Sequence, residues 1–277
     1  MEAAASLTGL TISTPAQPQN SQEFIKAFER IGPDTPQTRP SHGSATAWLA
    51  HLDMLKYVVA SRFTTAFIIE DDVDWDIEIK AQIRLVSTNV RNLTKTPTTD
   101  PNPYGSGWDV LWLGNCGEQS MEKGNHIDYP DTTRIPGEDY AGWAKQFVTK
   151  FVPNDHRRVQ EASNPVCTFG YGITQTSAKR IVTLLSRASD EAFDVALQHQ
   201  CVGGKLRCIV VTPELFHHYE PPKDFGYVSG VHEGDGQGAS ADEEAFESVK
   251  GSTANIAKSA RCQALFQSTC VAPSRDV

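Results

Sequence analysis

Thr65-Ala66-Phe67-Ile68-Ile69-Glu70-Asp71-Asp72-Val73-Asp74-Trp75-Asp76-Ile77-Glu78 is the stretch that decides the reading of this chain. Five residues of apolar, β-favouring character run directly into a segment in which six of nine residues are acidic. The run predicts a buried strand over 65–69 that carries carboxylates to its C-terminal end. Ligands of α/β sheets gather beyond the carboxyl ends of strands. Carboxylates packed this closely repel one another and call for a counter-ion. Oxygen ligands suit a hard divalent cation, Mn²⁺ or Mg²⁺. An EF-hand loop starting at Asp72 fails, because its sixth position is Ile77 instead of Gly and its twelfth is Ile83 instead of Glu.

Outward from this stretch, helical and extended patterns alternate. Trp48, Leu52, Leu55 and Val59 share a helical face between Ser44 and Arg62. Ile79, Ile83, Val86, Val90 and Leu93 repeat at steps of four and three, which predicts a helix beginning near Asp76, with Asp74, Asp76 and Glu78 at its start. Strands are expected over 108–114, 167–174 and 207–211, and helices around Ala178–Leu185 and Asp194. A shorter helical pattern covers Ser21–Ile31. Residues 115–163 read as a long irregular excursion. The Gly/Asp/Ser-rich run 229–244 reads as mobile, so the chain divides into one domain over 1–225 and a flexible extension over 226–277. Strands alternating with helices make the fold class α/β.

The bulk numbers narrow the function classes. The chain has 277 residues, a formal net charge of −9 and 39% hydrophobic residues. That is ample for a buried core. With no basic stripe, general nucleic-acid binding is not expected. No apolar run is long enough to span a membrane. Met1–Leu7 lacks the basic flank and apolar core of a signal peptide. Six cysteines, with no Cys-x-x-Cys pair, leave two readings open: three disulfides, or scattered thiols.

Other residue types carry candidate chemistry. His217 and His218 follow a predicted strand, and a neutral imidazole there could complete the shell of a carboxylate-bound Mn²⁺. Asp194 lies on a helical stretch among apolar residues, either as a surface acid or as a general base. His51 sits among apolar neighbours and reads as a hydrogen-bonded core histidine. Gly-x-Ser-x-Gly, Walker and Gly-x-Gly-x-x-Gly patterns are absent from the sequence.

These pieces occur in a familiar order. Ala45–His51, Phe67-Ile68-Ile69-Glu70-Asp71-Asp72-Val73, Trp108–Gly114, Thr168–Thr174 with Ala178-Lys179, the Asp194 segment and Phe216-His217-His218 together resemble glycosyltransferase family 25. That group includes lipopolysaccharide and procollagen galactosyltransferases. The likeness covers about residues 41–225 and looks most like fungal members. It implies a GT-A fold, a Rossmann-type nucleotide-sugar domain with a mixed sheet flanked by helices. It also implies inverting transfer from a UDP-sugar, often UDP-galactose, to a glycan or hydroxylated protein acceptor. On this likeness Glu70 and Asp72 bind the metal, Asp71 lies beside the donor with Glu70, His217 or His218 supplies a later ligand, and Asp194 is the base. The family's opening strand and Arg-rich turn have no counterpart here, since Met1–Leu7 resembles the middle of the helix that follows them. A non-catalytic relative that binds a glycan or a partner is the alternative reading. A phosphohydrolase using the same carboxylates is a weaker one. A eukaryotic member would be expected in the secretory pathway.

Overall fold

The computed structural model describes residues 1–32, 39–118, 124–222, 225 and 247–270. The helices are α1 (Glu2–Thr8), α2 (Gln22–Glu29), α3 (His42–Ala60), α4 (Ile79–Leu93), α5 (Lys145–Phe151), α6 (Gln175–Leu184), α7 (Phe193–Val202) and α8 (Ala260–Phe266). The strands are β1 (Thr65–Ile69), β2 (Val73–Trp75), β3 (Val110–Gly114), β4 (His126–Pro130), β5 (His156–Glu161), β6 (Gly170–Thr174), β7 (Cys208–Thr212), β8 (Phe216–Glu220) and β9 (Ser252–Thr253). Together they make a mixed, mostly antiparallel sheet flanked by helices, in the order β1-β6-β3-β7-β5-β4. Among the described residues the only parallel pairings are those of β3 with β7 and with the start of β8, while β8 also pairs antiparallel with β2 and β9.

The period of two along the central strands explains the layering. Val110 and Trp112 of β3, with Cys208 and Val210 of β7, pack under Trp48, Leu52 and Leu55 of α3 and under α6 and α7. Leu111 and Leu113, with Ile209 and Val211, face the other way toward Trp75, Val86 and Val90. Covering both faces of β3 and β7 makes these strands buried at every position, and apolar throughout except for Thr212. The helix starts have sequence causes. Ser41 caps α3 through its hydroxyl, and Thr174 with Ser177 forms a capping box on α6.

Four expectations need correction. β1 forms where expected but is not buried: it is the edge strand of the sheet, Phe67 is 41% exposed and only Ile68 is buried. Residues 115–163 are not an irregular excursion. They supply β4 and β5, which extend the sheet beyond β7, and α5 with its own small core of Tyr140, Phe147 and Val148. The polar surface of β5 hid this, because Arg157 and Arg158 are buried as ion pairs with Asp131 and Asp128. The extension over 226–277 is not flexible throughout. Residues 229–244 lie outside the described residues, but β9 pairs with β8 and α8 packs on α1 and β2. Finally, α4 starts at Ile79, so Asp74 and Asp76 are not its first turn. Asp74 sits inside β2 with 0% exposure.

All six cysteines are paired, as Cys116–Cys167, Cys201–Cys208 and Cys262–Cys270, with Cα separations of 5.5, 5.5 and 5.8 Å. This resolves the choice left open by the sequence in favour of disulfides.

Candidate functional site

β1 ends at Ile69, and Glu70, Asp71 and Asp72 turn out of the sheet toward β2. The turn lies on the rim of a cleft of about 1720 Å³ that is also lined by His51, Thr168, Asp194, His217 and His218. The structure thus brings Glu70, Asp71, Asp72, Asp194, His217 and His218 to one cleft, together with His51. Phe67, Leu111, Phe169 and Phe216 give it apolar walls. The walls close tightly where β3 meets β6. A Cβ on Gly114 would come within 2.6 Å of the Gly170 nitrogen and 2.8 Å of the Phe216 Cβ, so only glycine fits there.

Each acid of the turn has a different setting. Glu70 is held from the core by a directional chain. Thr168 donates its single hydroxyl proton to Glu70 Oε1 at 2.7 Å. Its oxygen is then left to accept from His51 Nε2 at 3.2 Å, which leaves Nδ1 to accept from the Tyr171 hydroxyl at 3.1 Å. The imidazole also stacks face to face on Phe193, with ring centroids 4.4 Å apart. The core reading of His51 is therefore incomplete, because its ring links the core to the cleft acid.

Asp71 is an exposed residue of the turn, yet partial desolvation by the protein around its carboxyl, then repulsion from Asp72 and Glu70, pushes that carboxyl above the ordinary range; a main-chain hydrogen bond and Arg261 only partly offset this. Asp72 accepts from His218 Nε2 at 3.0 Å. Burial alone would pull the His218 imidazole down. The Asp72 hydrogen bond and the charges of Asp72, Glu220 and Glu70 outweigh it, and the net shift is upward.

Strand alternation separates the two histidines. His218 turns to Asp72, while His217 Nε2 lies 3.6 Å from Glu214, an acid buried with Tyr140 and Asn255. Asp194 reaches the cleft from the first turn of α7, and its Oδ2 accepts the Cys167 main-chain N–H at 2.6 Å. That bond ties the candidate base to the loop that carries the Cys116–Cys167 disulfide.

The other acids of the cluster serve the fold. Asp74 accepts from the main-chain N–H groups of Trp75 and Arg261, and from the hydroxyls of Thr253 and Ser259. Asp76 accepts from the N–H groups of Glu78 and Lys258. Sequence reasoning missed this receiving segment, although Ser252, Thr253, Ser259, Cys262 and Cys270 form a dense group of small polar and cysteine residues.

The donor set of Glu70, Asp72 and His218, carboxylate oxygens with one imidazole, matches the chemistry of Mn²⁺. Among the described residues, no group of three His, Cys, Asp or Glu side chains is already closed around a metal position. A metal would enter by replacing the His218–Asp72 hydrogen bond. Among the described residues, no helix is long and apolar enough to cross a membrane. A scan against protein-family models and a search of curated proteins found no match for this chain.

Proposed function

We propose that this cleft carries out metal-dependent, inverting transfer of a sugar, galactose being the first candidate, from a UDP-sugar to a hydroxyl acceptor on a glycan or hydroxylated protein. The observation that carries the reading is the placement of Glu70, Asp71 and Asp72 at the C-terminal end of β1, on the rim of the cleft and opposite His218. A nucleotide diphosphate brought to three clustered carboxylates would be repelled without a cation between them. On this reading the domain is a Rossmann-type GT-A unit, and the ordered segments that resemble glycosyltransferase family 25 support it.

Glu70, Asp72 and His218 would hold Mn²⁺, or Mg²⁺ in its place, and His217 stands beside them at the cleft. The bound ion would neutralise charge on the departing UDP. The chain's own residues do the rest. Thr168 and His51 fix the Glu70 rotamer. Phe169, which lies against both His217 and His218, keeps water from that side of the turn. Asp194 would take the acceptor's hydroxyl proton while its Oδ2 stays anchored on Cys167.

UDP release from UDP-galactose with Mn²⁺ tests the reading, alongside calorimetry of donor binding. Loss of both signals in Asp72→Asn, and loss of turnover with donor binding retained in Asp194→Asn, is the expected result. If the wild-type chain neither binds donor nor releases UDP, the reading fails.

A binding-only relative is the second reading. It is favoured by the fact that Asp72 and Asp194 already make structural hydrogen bonds. In that case calorimetry with a glycan acceptor would give heat while UDP-sugar and Mn²⁺ would not.

A further inference from the structure

The last turn of α4 carries Asn92-Leu93-Thr94. This is the Asn-x-Ser/Thr pattern, without proline in the middle, that is modified by oligosaccharide transfer in a secretory lumen. The structure supplies two independent observations about it.

The first is access. Asn92 is exposed, in contrast to Asn89 and Val90 on the face turned to the sheet. Its neighbour Arg91 is turned away to the loop, where it donates to the carbonyls of Pro97 at 2.9 Å and Asp100 at 3.2 Å. Thr94 has a structural use, because its hydroxyl donates to the Val90 carbonyl at 2.8 Å. That bond explains Thr94 without explaining Asn92. The cleft is lined by Ile79 and Ile83 from the start of α4. Asn92 lies nine residues past Ile83, about 13 Å along the axis at the usual helical rise.

The second is the redox state of the fold. Three disulfides use every cysteine in the chain. Such a complement belongs to an oxidising compartment, which in a eukaryotic cell is also the compartment where glycans are attached.

We infer that Asn92 is an N-glycosylation site and that the chain folds in an oxidising secretory lumen. In the reaction, Asn92 Nδ2 bonds to C1 of an oligosaccharide carried on a lipid diphosphate. The bond from C1 to the diphosphate oxygen breaks, the lipid diphosphate leaves with the electron pair, and the amide gives up one proton to solvent. This inference does not depend on the proposed catalytic function.

The test uses the native full-length chain, purified from the cells that make it and treated with peptide N-glycosidase in heavy-oxygen water. Mass spectrometry should find Asn92 converted to a heavy-labelled aspartate, and the intact protein should lose mass. A parallel arm secretes the chain from yeast. There Asn92→Gln and Thr94→Ala should lose the glycan, and Thr94→Ser should keep it. An unmodified Asn92 peptide as the main native species would overturn the site. Reduced cysteines in the native protein, found by thiol titration, would overturn the compartment.

Discussion

Asp74 and Arg261 hold each other in both directions across the sheet. The Asp74 carboxylate accepts the Arg261 main-chain N–H at 2.9 Å, and the Arg261 guanidinium donates back to the carbonyls of Asp71 and Val73, each at 2.9 Å. Arg261 also lies over the Tyr219 ring, 5.1 Å from its centroid. The acidic turn is therefore clamped from behind by a segment almost two hundred residues later in the chain.

Asp74→Asn should cost about 3 kcal/mol or more, because it removes the charge that four buried donors share and puts an amide N–H against some of them. Urea denaturation measures this. A midpoint equal to wild type would show the clamp to be dispensable. Arg261→Lys should destabilise less, but should loosen the turn, since a single ammonium does not reproduce a planar group whose Nη2 reaches both carbonyls while its Nη1 pairs with Glu247. Weaker Mn²⁺ binding in that variant, read by calorimetry, is the expected sign.

The His218–Asp72 pair should give the protein a pH signature. The folded imidazole titrates above its ordinary value of 6.5. The folded state therefore holds this proton more tightly than the unfolded state does. Its contribution to stability is fully present below the unfolded value and is lost as pH rises through the folded one. In chelator, wild-type stability should fall relative to His218→Gln as pH rises past 6.5. Parallel curves would contradict the pairing. Mn²⁺ should bind more tightly over the same rise, because the proton must leave first.

His51→Leu should be costly beyond its size. The hydroxyl of Tyr171, a residue with 0% exposure, would lose its partner, and the ring stack on Phe193 would disappear. About 2 kcal/mol is expected from the unpaired hydroxyl and lost packing together. Thr168→Val isolates the cleft end of the chain. It should cost about 1 kcal/mol, because His51 Nε2–H loses its acceptor, while also freeing Glu70, which a fall in Mn²⁺ affinity would report.

The long-loop disulfide should be worth more than the two short-loop ones, Cys201–Cys208 and Cys262–Cys270, whose separations of 7 and 8 make them nearly equal. Chain-entropy arguments assign roughly 4 kcal/mol to Cys116–Cys167, whose residues are 51 apart, and roughly 2 kcal/mol to Cys201–Cys208, which are 7 apart. Paired Cys→Ser variants compared by urea denaturation check the order. Equal losses would point to native-state contacts instead of loop closure.

Elements with a one-faced apolar period were legible in the sequence. The α3 pattern at Trp48, Leu52 and Leu55, the α4 pattern at Ile79, Val86 and Val90, and the apolar run of β1 all fall close to their observed spans. β5 was not legible, because Arg157 and Arg158 inside a sheet look like surface residues until Asp131 and Asp128 are placed beside them. The site residues were legible by chemical type. Which histidine faces which acid was not, since His217 and His218 differ only in the side of the strand they occupy.

By itself the sequence determined that an apolar strand ends in a cluster of carboxylates, because apolar run and charge are local properties of the chain; that this strand lies at the sheet edge with only Ile68 buried was decided by the fold. Tertiary structure alone decided how five of those six acids divide. Glu70, Asp71 and Asp72 line the cleft, whereas Asp74 and Asp76 are consumed by hydrogen bonds from residues 253–261. Nothing local distinguishes these two groups of carboxylates. Their roles depend on which distant N–H and O–H groups the fold brings within bonding distance.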